Sequence, residues 1–199
     1  MHIVCSDLEG IFIPEIWINV AEKTGIQDLN LTTRDVPDYN VLMRKRLAIL
    51  KENRLKLKDI TDVIATMAPL EGAAAFLDSL RARYQVVILS DTFYEFAGPL
   101  MRQLGRPTLF CHRLDVGTDG FVEGYRLRMA DQKRAAVRAF RGLNFRVIAA
   151  GDSYNDTTML KAAHAGILFK APQNVIDEFP QFPALETYEE LLGNISRFL

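Results

Sequence analysis

The chain alternates short apolar runs with amphipathic segments of helix length, and this alternation restricts its fold more than any other feature. Apolar runs at residues 2–6, 85–90, 108–111, 145–150 and 166–169 predict strands, and helical spacing marks residues 71–83, 95–104, 132–141 and 157–163. Such alternation is typical of a sheet of parallel strands with helices on both faces. The sequence therefore predicts an α/β fold with a Rossmann-like parallel sheet.

One long stretch, residues 15–69, interrupts this alternation after the first strand. It separates the first two predicted strands by about eighty residues, far more than one crossover helix needs. We interpret it as a helical cap inserted into a core domain made of residues 1–14 and 70–199. Within the core, a turn between alternating residues predicts a β-hairpin over residues 112–129.

Charge and cysteine content exclude several classes of function. Lys and Arg number 24 and Asp and Glu 25, so the net charge of −1 gives no reason to expect nucleic acid or a membrane surface as partner. No apolar run reaches the ~20 residues of a membrane span. Cys5 and Cys111 lie in predicted strands, which favours buried thiols in a reducing, cytoplasmic setting. An exposed face of the helical insertion is compatible with a homodimer.

Carboxylates follow two of the predicted strands. Asp7 and Glu9 come directly after the first strand, and Asp152 and Asp156 follow the fourth. Because the carboxyl ends of parallel strands meet at one edge of a sheet, we expect these four groups to converge. Clustered carboxylates repel unless a cation holds them, and oxygen ligands without His or Cys favour Mg²⁺.

Two further residues at this edge suit a phosphoryl group. Ser90 ends the second strand and offers a hydroxyl, and Lys133 near the start of a later helix offers a positive charge. A carboxylate such as Asp7 can attack phosphorus and form an aspartyl-phosphate. Glu9, two residues later, can protonate the leaving alcohol and then deprotonate the incoming nucleophile.

This set resembles the four motifs of the haloacid dehalogenase-like phosphotransferase superfamily, in the same order over nearly the whole chain. The motifs here are Asp7-Leu8-Glu9-Gly10, the strand ending in Ser90, Lys133, and the segment from Gly151 to Asp156. The helical insertion stands where phosphoserine phosphatases carry a cap. The Glu at position 9 and the strings at residues 14–17, 89–95 and 149–156 are most similar to the bifunctional phosphoserine phosphatase/homoserine phosphotransferases.

The resemblance implies a role for each matching residue. Asp7 would be the nucleophile and a Mg²⁺ ligand, and Glu9 the general acid and base, whose backbone carbonyl also meets the metal. Asp152 would complete the protein's metal ligands, and Asp156 would orient the water around the ion. The residues implied to bind phosphoserine, and homoserine as a second substrate, are Glu15, Arg46, Ser90, Asp91, Thr92, Lys133 and Asn155.

Two departures from the superfamily pattern bear on this assignment. Most of its phosphatases have Asp where this chain has Glu9, and the extra methylene extends the carboxyl by about 1.5 Å. Our hypothesis is that the longer acid disfavours water and leaves room for a second alcohol. Asp91 and Thr92 replace the glycines of ordinary phosphoserine phosphatases, which changes the backbone donors near the phosphate.

Three other functions remain open at this stage. A phosphatase for another small metabolite would keep the core motifs, and its activity would survive Arg46→Ala. A hydrolytic dehalogenase would need neither the acid at Glu9 nor the metal site with Asp152. A receiver-like signalling module would hold a long-lived aspartyl-phosphate at Asp7 and would need no substrate lid.

Overall fold

A seven-stranded sheet forms the centre of the molecule, with strand order β4-β3-β2-β1-β5-β6-β7. The computed structural model describes residues 1–32, 35–36 and 38–198. Neighbouring strands are parallel except for β3 and β4, which are antiparallel. The strands are β1 His2–Ser6, β2 Gln85–Phe93, β3 Thr108–Val116, β4 Val122–Arg126, β5 Arg146–Gly151, β6 Ala165–Phe169 and β7 Ala184–Leu185. The predicted Rossmann-like α/β fold is confirmed.

The first strand lies in the middle of the sheet, where it places its carboxyl end between two others. Ser6 at the end of β1 pairs with Ile88 of β2 on one side and with Ala150 of β5 on the other. The loops that follow these three strands therefore leave the sheet at one edge. The residues predicted to carry chemistry belong mostly to these loops.

Both faces of the sheet are covered, which explains the nearly continuous apolar strands. Val4 and Ile88 belong to one buried cluster, and their chain neighbours Cys5 and Leu89 belong to a second cluster. The α-helices are α1 Ile16–Thr24, α2 Tyr39–Glu52, α3 Leu57–Ala65, α4 Ala73–Arg81, α5 Tyr94–Gln103, α6 Gln132–Gly142, α7 Thr157–Ala162, α8 Gln173–Glu178 and α9 Tyr188–Arg197. None of these described helices is long and apolar enough to cross a membrane.

Three α-helices and a short 3-10 helix (Gln27–Asn30) occupy the segment between β1 and α4. The Asp38 side chain starts α2 by accepting hydrogen bonds from the backbone amides of Asn40 and Val41. The chain leaves and re-enters the core at neighbouring points, because Leu70 N donates to Phe12 O at 2.9 Å. The segment thus begins and ends beside the loop that follows β1.

The hairpin and the C-terminal third differ in detail from the sequence-based expectation. β3 already begins at Thr108, so the hairpin arms extend over β3 and β4 with the turn between Val116 and Val122. Sequence periodicity does not predict β7, which is two residues long, the six-residue α8 or α9. β7 pairs with β6 at the edge of the sheet, whereas α9 packs against α4, and all three elements lie outside the predicted motifs.

Candidate active site

The turn after β1 brings the first motif against the fourth. Asp7 N donates to Ala150 O at 3.0 Å, which continues the pairing of β1 with β5, and Leu8 N donates to Asp7 Oδ1 at 2.7 Å. Gly10 follows with a φ of +76°, in the region that favours glycine. A Cβ at Gly10 would lie 2.4 Å from Asp152 Oδ2. The missing side chain is therefore what allows Asp152 to approach Asp7.

Asp7, Asp152 and Asp156 form a buried carboxylate cluster, with one oxygen from each residue within 4.8 Å of the others. Asp156 Oδ2 accepts hydrogen bonds from the backbone amides of Asp152 and Ser153 at 3.0 and 3.2 Å. Its Oδ1 accepts one from Lys133 Nζ at 2.8 Å. With both oxygens of Asp156 engaged, Asp7 and Asp152 are better placed for direct ligation.

This cluster fits a hard divalent cation. Its donors are all carboxylate oxygens, which Mg²⁺ prefers, and no His or Cys contributes to the described cluster. Burial and then the neighbouring Asp156 raise the pKa of Asp7 well above its usual value, and Lys133 only partly offsets them. A bound cation would relieve this repulsion and keep Asp7 ionised.

Lys133 brings a buried positive charge to the carboxylate cluster, with a side chain that is 3% exposed. Its Nζ lies 2.8 Å from Asp156 Oδ1, 3.0 Å from Asp7 Oδ1 and 3.6 Å from Asp91 Oδ2. Burial alone would lower the pKa of Lys133, but the three carboxylates raise it well above its usual value. The lysine is therefore charged at every pH at which the protein would work.

The end of β2 is irregular at the positions predicted to meet the phosphoryl group. The pairing of β2 with β3 shifts register between Leu89 and Phe93, and such bulges redirect side chains near active sites. Ser90 and Thr92 are both buried, and Thr92 N donates to Ser90 Oγ at 3.2 Å. Asp91 lies between them and accepts a hydrogen bond from Asn155 Nδ2 at 2.9 Å.

Glu9 lies apart from the three-carboxylate cluster and faces the helical insertion. Its Oε2 accepts a hydrogen bond from Ile16 N, the first residue of α1, at 2.9 Å. Burial, followed by the neighbouring Glu15, raises the pKa of Glu9 to about 8. At neutral pH this carboxyl is therefore mostly protonated and can donate a proton.

Arg46 on α2 reaches the same cavity from the helical insertion. Its guanidinium lies 4.6 Å from the Trp17 ring centroid, and Nη2 donates to Leu31 O at 2.8 Å. Its Nε is buried without a hydrogen-bond partner among the described residues. Burial lowers the pKa of Arg46 to about 10, so it stays charged. Exposed Arg44 and Lys45 precede it on the helix and do not line this cavity.

A cavity of about 80 Å³ joins these groups. The predicted residues that line it are Asp7, Glu9, Glu15, Arg46, Ser90, Asp91, Thr92, Lys133, Asp152 and Asn155. Asp156 lies behind them and is fully buried. We refer to this space as the Asp7 cavity. The structure thus brings the residues predicted from both the core and the insertion to one place.

A larger cavity of about 630 Å³ adjoins the Asp7 cavity and shares Tyr39, Asp91, Lys133 and Asn155 with it. His112 of β3 lines only the larger one.

Sequence reasoning did not identify Tyr39, His112 or Gln132, which contact Asp91. Tyr39 OH donates to Asp91 O at 2.8 Å, and Gln132 Nε2 donates to Ser90 O. His112 lies in no metal-ligand spacing in the sequence. Only the pairing of β2 with β3 places His112 next to Asp91, so no local signal could have found it.

Comparison with known proteins agrees with this geometry. Residues 13–164 match the family model of the haloacid dehalogenase-like hydrolases. The chain is 67% identical over 191 residues to the phosphoserine phosphatase ThrH of Pseudomonas aeruginosa, which covers 96% of this chain and 93% of that protein. It is 64% identical to a phosphoserine phosphatase of Pseudomonas syringae pv. tomato, over 96% of this chain and 81% of that protein.

Solved structures show the same fold at low sequence identity. A phospho-aspartyl intermediate analogue of phosphoserine phosphatase superimposes with a TM-score of 0.78 at 20% identity, covering 97% of this chain and 98% of that one. A substrate-bound phosphoserine phosphatase complex gives a TM-score of 0.77 at 19% identity, covering 97% of both chains.

Proposed function

The chain belongs to the haloacid dehalogenase-like hydrolases, and on this basis we propose that it is a Mg²⁺-dependent phosphoserine phosphatase that also transfers the phosphoryl group to homoserine. The observation that carries the proposal is the Asp7 cavity, where the core residues suited to phosphoryl transfer meet Arg46 and Glu15 of the insertion. The two relatives that are more than 60% identical bear the name phosphoserine phosphatase.

In the first step, a carboxylate oxygen of Asp7 attacks phosphorus and the bond between phosphorus and the serine oxygen breaks. The proton that the departing alcohol needs comes from Glu9, whose raised pKa keeps it protonated at neutral pH. Ser90 donates a hydrogen bond to the phosphoryl oxygens, and Lys133 balances the charge that builds up on them. The products of this step are serine and an aspartyl-phosphate.

In the second step, the now ionised Glu9 removes a proton from the incoming nucleophile. Attack by water releases inorganic phosphate and restores the Asp7 carboxylate, whereas attack by the hydroxyl of homoserine gives phosphohomoserine. Glu9 regains its proton in either case, so the cycle closes. The choice of acceptor depends on which hydroxyl Glu9 can reach.

Asp7 and Asp152 would hold the magnesium ion, with the backbone carbonyl of Glu9, while Asp156 orients its surroundings. When bound, the ion supplies positive charge next to the transferring phosphoryl group. Gly10 supports this arrangement because it leaves the space that Asp152 occupies.

Recognition of phosphoserine uses charges complementary to its amino-acid end. The Arg46 guanidinium pairs with the substrate carboxylate, and its buried, unpartnered Nε supports this role. Glu15 pairs with the ammonium group. Both residues belong to helices α1 and α2 or their approach, so we propose that residues 15–69 act as a cap over the core domain.

The surroundings of the site bear on where and how the enzyme works. Cys5 and Cys111 are buried free thiols, in keeping with a reducing cytoplasm. A homodimer formed through exposed cap helices would show as twice the 22.5 kDa chain mass in light scattering.

Phosphorus NMR tests the proposal directly. The purified protein is incubated with Mg²⁺ and phosphoserine, with and without homoserine, and Asp7→Asn serves as the inactive control. We expect inorganic phosphate in the first tube and phosphohomoserine in addition in the second, with neither in EDTA. Inorganic phosphate as the only product in both tubes would exclude the transferase activity. No turnover in either tube would exclude phosphoserine as the substrate.

A further inference from the structure

Asp91 is surrounded by protein groups on both oxygens of its carboxylate. Oδ2 accepts from Asn155 Nδ2 at 2.9 Å and lies 3.6 Å from Lys133 Nζ. Oδ1 lies 3.5 Å from His112 Nε2 and 3.4 Å from Gln132 Nε2, both at the long end of hydrogen-bond distances. Protein groups therefore hold Asp91 in place, while its side chain, which is 28% exposed, still lines the Asp7 cavity.

The hydrogen bonding of His112 indicates which of its two ring nitrogens carries the proton. The backbone amide of Arg128 donates to His112 Nδ1 at 3.1 Å, so Nδ1 acts as an acceptor and the ring proton is assigned to Nε2. Nε2, which carries that proton, lies 3.5 Å from Asp91 Oδ1. The His112 residue is 3% exposed and packs between Tyr39 and Phe93 at centroid distances of 6.1 and 6.2 Å, which hold the ring in place.

Asp91 in turn is one of the three carboxylates that fix the Lys133 ammonium. The other two, Asp7 and Asp156, belong to the carboxylate cluster. When Asp7 forms the aspartyl-phosphate, which is an acyl phosphate, it no longer carries a carboxylate charge, while the proton given to the alcohol leaves Glu9 ionised. Lys133 must then follow the phosphoryl oxygens. Asp91 is the partner of Lys133 that takes no part in ligation or attack, so its pull on the lysine stays constant through the cycle.

His112 lines the larger adjoining cavity but not the Asp7 cavity, so we infer that it acts on the phosphoryl group through other residues. We propose that His112 and Asp91 form a positioning pair that sets where the Lys133 ammonium meets the phosphoryl group. Asp91 also connects this pair to the cap, because its backbone oxygen accepts the hydrogen bond from Tyr39 OH of α2. The inference rests on the proposed function for the substrate, and on geometry alone for the role of the pair.

Steady-state kinetics of three variants separate positioning from substrate contact. His112→Phe removes the donor and keeps a ring of similar size, His112→Gln keeps a donor, and Asp91→Asn removes the charge. We expect His112→Phe and Asp91→Asn to lower kcat about tenfold, since a misplaced group costs up to ~10² in rate. The KM for phosphoserine should change less than about threefold, because Arg46 and Glu15 are untouched.

His164→Gln is the matched control. His164 Nδ1 also accepts a backbone hydrogen bond, from Val147 N at 3.0 Å, but His164 lies at the opposite end of the sheet strands. We expect this variant to retain wild-type kcat. The double variant His112→Phe/Asp91→Asn should lose no more activity than Asp91→Asn alone, because both changes interrupt one chain of contacts. Recovery of at least half of the lost kcat in His112→Gln is also expected.

Orthovanadate binding, measured by calorimetry in the presence of Mg²⁺, distinguishes failure of this inference from failure of the proposed function. It probes the phosphoryl site without any need for phosphoserine, and we expect an affinity about tenfold weaker in His112→Phe. If the protein does not turn over phosphoserine but His112→Phe still binds vanadate more weakly, the positioning pair is supported and phosphoserine is excluded as the substrate. Any of three results would overturn the proposed pair. The first is a raised KM with unchanged kcat in Asp91→Asn, and the second is additive losses of kcat in the double variant. The third is a loss of kcat in His164→Gln equal to that in His112→Phe. Thermal unfolding shows whether His112→Phe is folded. If it is not, a wild-type kcat in Asp91→Asn is by itself enough to overturn the proposed pair.

Discussion

Glu9 shows how one residue obtains its chemistry from burial. The pKa of its carboxyl is raised to about 8 by burial and then by Glu15, while the amide of Ile16 opposes the shift. The proposal that Glu9 is the acid follows from its place two residues after Asp7. The protonation of Glu9 at neutral pH could not be predicted from the sequence, because only the fold buries Glu9 and brings Glu15 close to it.

Glu9→Gln should change how stability depends on pH. The Glu9 pKa is about 8 in the folded state and 4.5 without its surroundings, so between these values the folded state keeps a proton that the unfolded chain has lost. Glu9 therefore lowers the free energy of unfolding as pH rises through this window. The Gln variant should gain stability relative to wild type from pH 5 to 8, measured by urea unfolding in EDTA. Parallel curves would contradict the shift.

Glu9→Asp should alter the choice of acceptor. Shortening the side chain withdraws the carboxyl by about 1.5 Å and opens room for water. We expect the ratio of phosphohomoserine to phosphate to fall severalfold at fixed homoserine, as measured by phosphorus NMR. An unchanged ratio would show that the length of this acid does not select the acceptor.

Arg46→Lys should raise the KM for phosphoserine about tenfold, because an ammonium cannot reproduce a guanidinium fork on a carboxylate. The turnover number should fall less, since Arg46 lies in the cap and not at the phosphoryl group. Arg44→Lys, on the exposed side of the same helix, is the control and should behave as wild type. Equal KM values in the two variants would point to a substrate without a carboxylate.

At the scale of elements, the site depends on how the turns between strands and helices are built. Except for β7, α8 and α9, the alternation of strands and helices followed from periodicity, and so did the meeting of β1, β2 and β5 at one edge. The irregular end of β2 did not, because a bulge depends on the pairing partner β3 and not on local sequence. That bulge decides what Asp91 can contact.

The turn after β1 gives a test at this scale. Gly10→Ala would place a Cβ 2.4 Å from Asp152 Oδ2 at a φ of +76°, whereas Gly25→Ala meets nothing within 4 Å at a φ of +72°. Both variants therefore carry similar backbone strain, of order 1 kcal/mol. Only Gly10→Ala should raise the Mg²⁺ concentration for half-maximal activity, by at least about tenfold given the displaced ligand. Similar magnesium curves in the two variants would show that Asp152 is not a ligand.

At the scale of the whole molecule, the insertion contacts the hairpin as well as the site. Leu57 N donates to Gly120 O at 2.9 Å, and Tyr125 OH donates to Asn40 Oδ1 at 2.7 Å. The cap and the hairpin were each predicted from sequence, but their contact was not, since it joins segments distant in the chain. Since we propose that residues 15–69 act as a cap, we expect these bonds to open when a substrate enters the Asp7 cavity.

Hydrogen exchange should detect this opening. In the presence of Mg²⁺ and orthovanadate, the amide of Leu57 should exchange at least severalfold more slowly, because a filled site favours the closed arrangement. The amide of Asn53, which donates to Ile49 O within the cap, is the control and should not change. Equal slowing at both amides would indicate general stabilisation of the cap, and no slowing at Leu57 would contradict its movement.

The central position of β1 also has a consequence for how the protein is made. His2 pairs with Arg146 and Ile3 with Gln85, so β1 leaves the ribosome well before both of its neighbours. Closing loops of this length costs entropy before any contact is gained, and such topologies form slowly. Asp7 on the β1 turn, which we propose as the nucleophile, is therefore synthesised well before the other residues of the Asp7 cavity, which is complete only after β5 has emerged.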